Sequence, residues 1–85
     1  MIFFTKHARD KFEILKRHKC IVTEQQVLVT VNNPEIIDYS HSPLIIAQYG
    51  IDKNHVLRVV YKKQGQIIKI ITFYPGRRKQ YEKNF

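Results

Sequence analysis

Cysteine, tryptophan and glycine are scarce in this chain. Its 85 residues include one cysteine, no tryptophan, three glycines and three prolines. Cys20 is alone, so no intrachain disulfide forms and no oxidising compartment is implied. Gly50, Gly65 and Gly76 lie too far apart for a phosphate-cradling loop, and so few Gly and Pro exclude collagen-like and low-complexity classes. No apolar run approaches the ~18–20 residues of a membrane span. The opening Met1-Ile2-Phe3-Phe4-Thr5-Lys6-His7 lacks the charged start and long apolar core of a secretory signal, so the cytoplasm is the expected location. A chain of this length buries only about 60% of its unfolded surface. That argues for one domain, and for chemistry on an open face rather than in a deep cofactor pocket; no cofactor is expected.

What is abundant is positive charge. Fifteen Lys and Arg against seven Asp and Glu give a net charge of +8. The charge is segregated. Residues 1–20 carry +4, residues 21–50 contain no Lys or Arg and carry −3, and residues 51–85 carry +7. Clustered basic residues in a small domain are the electrostatic footprint of a polyanionic partner, such as RNA or an acidic protein. A membrane surface fits less well, because Asp10 and Glu13 interrupt the basic residues of the first helix.

The pattern predicts an α+β domain of order β-α-α-β-β-β-β-α, two helices packed on an antiparallel sheet. Ile2-Phe3-Phe4 reads as a first strand. Thr5 caps a helix from about 6 to 18, with Ala8, Phe12 and Leu15 on one stripe. Thr23 and Gln26 form a capping box for a second helix that Asn33-Pro34 ends. Short strands follow at 36–37 and 44–49. Residues 55–63 and 66–74 form a hairpin across Gln64-Gly65, and 77–85 a short helix or tail whose apolar contacts are Tyr81 and Phe85.

A two-residue loop at Gln64-Gly65 pairs 63 with 66. Tyr61 then faces Ile68, Val59 faces Ile70 and Leu57 faces Thr72, all on the core side. His55 and Tyr74 share that side. The other side carries Val56, Arg58, Val60 and Lys62 with Ile67, Lys69, Ile71 and Phe73. The expected product is a mixed apolar and basic platform, open to a flat partner.

Three stretches carry a family resemblance: Leu57-Arg58-Val59-Val60-Tyr61, Ile68-Lys69-Ile70-Ile71-Thr72-Phe73, and Gly76-Arg77-Arg78 with Tyr81. Together they resemble the RelE/ParE superfamily of bacterial toxins. The opening Phe4-Thr5-Lys6-His7-Ala8-Arg9 and the Asn33-Pro34 stop are similar to a small subgroup near the BrnT toxins. The resemblance implies a two-layer RelE-like fold and a type II toxin–antitoxin component. Such a component is an mRNA endoribonuclease held by a cognate antitoxin, or a ParE-like inhibitor of DNA gyrase. A non-catalytic RNA-binding module on the same scaffold is the third expectation. By resemblance, Arg58 matches the strand arginine, Arg77 and Arg78 match the basic pair after the glycine, and Tyr81 matches the C-terminal tyrosine at a shorter spacing.

RNA cleavage by the 2′-hydroxyl needs a proton acceptor, positive charge at the phosphate and an acid for the leaving oxygen. Arginine offers permanent charge and a planar fork to phosphate. The catalytic candidates are therefore Arg58 and Arg78 for the phosphate, Lys62 for proton transfer and Tyr81 as acid. Lys69, Arg77, Lys79 and Tyr74 are the RNA-binding candidates, and His7 is a further one. His18 and Cys20 are too sparse for a zinc site, so no metal is expected.

Overall fold

A computed structural model describes residues 1–81 and gives the order β1 (Ile2–Phe4), α1 (Lys6–Arg17), α2 (Glu24–Asn32), β2 (Ile36–Asp38), β3 (Ile45–Gly50), β4 (His55–Gln64), β5 (Ile67–Arg77) and α3 (Arg78–Tyr81). Both cap readings hold. The Thr5 hydroxyl accepts from the Ala8 N–H at 3.1 Å and donates to the Ile71 carbonyl at 3.1 Å, which ties the start of α1 to β5. At α2 the Gln26 N–H donates to Thr23 Oγ1 at 3.1 Å while Gln26 Oε1 accepts from the Thr23 N–H at 2.9 Å. The expected contact of Tyr81 with Phe85 lies outside the described residues.

The five strands form one sheet in the order β1-β5-β4-β3-β2. The chain is α+β, but the sheet is mixed rather than antiparallel. β1 runs parallel to β5, pairing Ile2 with Ile68, Phe3 with Lys69 and Phe4 with Ile70. The remaining pairs are antiparallel. Short-range pattern shows that a segment is a strand; it does not show which distant strand receives it.

One face of the sheet buries the apolar stripes of α1 and α2. Phe4, Ala8, Val27, Val31, Ala47, Leu57, Val59, Tyr61, Ile70 and Phe73 form a single cluster there. Phe12 leans from α1 onto Phe4 and Phe73, with ring centroids 6.0 and 4.5 Å apart. Each such large side chain, fully buried, contributes about 1.5–3 kcal/mol of transfer free energy.

The hairpin register corrects the expected one. The turn is Gly65-Gln66, so Gln64 pairs with Ile67 and Lys62 with Lys69. Gly65 has φ +63°, the left-handed conformation that the first turn position of a tight hairpin requires and glycine adopts without strain. Further along, Tyr61 pairs with Ile70 but Val60 with Thr72, so Ile71 is left over as a bulge. The extra residue reverses the alternation of β5. Phe73, expected on the platform, is fully buried on the helix side, and Tyr74, expected in the core, lies across from Arg58 on the opposite face.

Candidate functional site

The face turned away from α1 and α2 is set by strand alternation. Leu57, Val59 and Tyr61 point into the core, so Val56, Arg58, Val60 and Lys62 point the other way. Across three strands, Gln48, Arg58 and Tyr74 stand in one row. Arg58 Nη1 donates to Gln48 Oε1 at 2.6 Å and its Nε to Tyr74 Oη at 3.2 Å. Asp38 Oδ2 lies 3.8 Å from Nη2. The Tyr81 ring covers the guanidinium, its centroid 4.1 Å from Cζ, a cation–π contact. Among the described residues no buried side-chain nitrogen or oxygen lacks a partner.

Arg58 is therefore not a free cation on an open platform. It is 8% exposed, and Gln48 beside it is 1% exposed. The expected platform is corrected here: amide, phenol, carboxylate and aromatic ring enclose the guanidinium. A charge buried to this degree is tolerated when its donors are satisfied.

Gly76 and Gly50 let the C-terminal segment lie on this face. A Cβ at Gly76 would run into the Tyr81 ring, and one at Gly50 into the Arg78 guanidinium while lying 3.2 Å from Glu35 Oε1. Arg78 is also fixed through its backbone, whose N–H donates to the Asn54 carbonyl at 2.8 Å, and through Nη2, which donates to the Asp52 carbonyl at 3.3 Å. Gly50 and Gly76 flank Val56 in register, two residues from Arg58 along β4. Arg78, Tyr81, Tyr74 and Arg58 thus gather at one end of the face.

The other candidates separate. Lys62 shares a face with Arg58 but lies four residues along β4, roughly 13 Å by the strand rise, and pairs with Lys69 instead. Arg77 and Lys79 are exposed on the C-terminal segment. His7 is exposed on α1, in the layer across the sheet from Arg58, and is not brought to the cluster.

Two carboxylates are held ionised by local donors. The hydroxyl and N–H of Ser40 donate to Asp38 Oδ1 at 2.6 and 2.8 Å and, with lesser help from His41 and Arg58, hold the Asp38 pKa below its usual value. The Asp52 pKa is lowered too, first by the Asn54 N–H and then by His55. Asp52 Oδ1 lies 3.0 Å from His55 Nδ1, which fixes that ring and turns Nε2 away from the carboxylate. His55 keeps the expected side by alternation with Leu57, but its neighbour is corrected: it is exposed and paired with Arg77 rather than beside Tyr74.

Gln48, Asp38 and Phe3 escaped the sequence reading. Gln48 carried a signal, as a lone amide inside the apolar run Leu44 to Tyr49. Phe3 carried none until its partner strand was known. Among the described residues no cluster of three metal-ligating side chains forms, and no helix is long and apolar enough to cross a membrane. No family model, curated protein or solved structure matches the chain.

Proposed function

We propose that this chain is a RelE-like toxin that cleaves mRNA at the end of the sheet where β4, β5 and α3 meet. The observation that carries the reading is the gathering of Arg58, Tyr74, Arg78 and Tyr81 at that end, where Arg78 also meets the Asp52 carbonyl. Arg78 supplies charge to the scissile phosphate. Arg58 acts through the phenols it aligns, Tyr74 by a hydrogen bond and Tyr81 by stacking. His55, exposed where β4 begins and oriented by Asp52, takes the 2′-hydroxyl proton at the end of the sheet. The 2′-oxygen then bonds to phosphorus, the bond to the 5′-oxygen breaks, and that oxygen takes a proton from Tyr81. The products are a 2′,3′-cyclic phosphate and a 5′-hydroxyl. The partners are RNA in the cytoplasm and an antitoxin whose acidic or amphipathic segment covers the cations.

The enclosure of Arg58 favours a second reading, a non-catalytic RNA-binding module in which the guanidinium is structural. Fold alone does not decide between them. Brief induced expression with mapping of transcript 5′ ends separates the readings. The toxin reading predicts new 5′-hydroxyl ends and growth arrest, both relieved by Arg78→Ala. Intact transcripts with DNA damage would point to a ParE-like gyrase inhibitor. Intact transcripts and unimpaired growth would leave the binding module.

A further inference from the structure

At the hairpin end of the same face, Phe3, Lys69 and Lys62 stand side by side across β1, β5 and β4. Alternation fixes their direction. Ile2 and Phe4 on either side of Phe3, Ile68 and Ile70 on either side of Lys69, and Tyr61 before Lys62 all belong to or pack against the core. Two features of this row oppose the stability of the isolated protein. Like charges directly opposite one another on a sheet repel, and among the described residues neither lysine is joined to a carboxylate. Phe3 is 54% exposed on an edge strand, with Ile67 beside the row at 43%.

An exposed ring beside two ammonium groups that no described carboxylate meets fits one class of partner closely. Single-stranded nucleic acid offers flat bases that stack on aromatic rings and phosphates that neutralise lysines. An acidic peptide would satisfy the lysines and leave the ring unused. An apolar partner would cover the ring and bury the charges. The lysine stems, half-buried along the sheet, leave the ammonium groups outward.

We infer that Phe3, Lys69 and Lys62 form a subsite for single-stranded RNA, with one base on the Phe3 ring and the neighbouring phosphates on the two lysines. The inference rests on the reading of the protein as RNA-binding, and not on cleavage.

The test is fluorescence polarisation of the whole protein with a labelled 2′-O-methyl oligoribonucleotide, which binds but offers no 2′-hydroxyl to attack. Phe3→Leu is expected to weaken binding roughly tenfold or more, and Phe3→Tyr to restore it, because stacking needs the ring. Replacing both lysines by glutamine is expected to flatten the dependence of log affinity on log salt by ~0.7 for each lysine that meets a phosphate. Lys69→Gln alone is expected to raise Tm by roughly 1–5 °C while weakening binding, since it relieves the like-charge pair. Binding unchanged in Phe3→Leu, equal competition by polyglutamate, or no binding by the wild type overturns the subsite. Ring-dependent binding with no cleavage of unmodified RNA sustains it and removes only the nuclease reading. Cleavage that ignores Phe3→Leu does the reverse.

Discussion

The two faces of this sheet use the same strands for different ends. Toward α1 and α2, β4 and β5 present Leu57, Val59, Tyr61, Ile70 and Phe73, and these side chains close on one another mainly through apolar surface, the Tyr61 phenol being the polar group among them. Away from the helices the same strands present Arg58, Tyr74, Lys62 and Lys69, and Arg58 is held by Gln48, Tyr74, Asp38 and the Tyr81 ring. The first face depends on area and tolerates a change of shape poorly. The second depends on a few directed contacts around Arg58, and further along the strands it sets Lys62 opposite Lys69.

The largest expected effect comes from breaking the first face. Phe73→Ala is predicted to cost about 3–5 kcal/mol in urea unfolding, the range for truncating a buried aromatic. That is a large share of the roughly 5–10 kcal/mol available to a domain of this size. Arg58→Ala is predicted to cost less, about 1.5–3 kcal/mol, as the charged hydrogen bond to Gln48 Oε1 is lost in a dry setting. Combined with Gln48→Ala, the loss is predicted to fall short of the sum of the two single losses. Strict additivity would show that the row is not a unit.

A Cβ at Gly76 tests the seat of Tyr81. Gly76→Ala is expected to cost about 1–3 kcal/mol through overpacking, and to cost little in a Tyr81→Ala background, where the obstructing ring is gone. An equal cost in both backgrounds would place the strain elsewhere. The smallest effect concerns Asp38. Its folded pKa is depressed, so its contribution is complete above the unfolded carboxylate value of about 3.9 and is lost as pH falls through the lower folded value. Thermal melts of wild type and Asp38→Asn are predicted to differ at pH 5–7 and to converge in strong acid. A gap independent of pH would contradict the ionic role.

Much of this contrast was legible in the residues. Thr23 with Gln26 and Thr5 with its Ala8 stripe marked both helix starts, because caps and periodicity are local. Gly65 marked the hairpin. The register was missed by one residue, since Gly65 opens the turn rather than closing it, and the bulge at Ile71 had no local signature. The shifted turn moves each β5 partner by two residues and keeps the faces; the bulge alone puts Phe73 and Tyr74 on the sides opposite to those expected. The parallel docking of β1 on β5 spans nearly the whole chain, so nothing near Phe3 announced Lys69 as its neighbour. Arg58 was found by its type and its strand. Its enclosure was not, because Asp38, Gln48, Tyr74 and Tyr81 come from four different elements.

The central claim is that the sheet face carrying Arg58, Lys62 and Lys69 is where RNA lies. Amide chemical-shift mapping with a 2′-O-methyl oligoribonucleotide tests it most directly. The account predicts perturbations along β1, β4, β5 and α3 that fade with added salt, and quiet amides across α1 and α2. Perturbations confined to α1 and α2, or none at all, would contradict it.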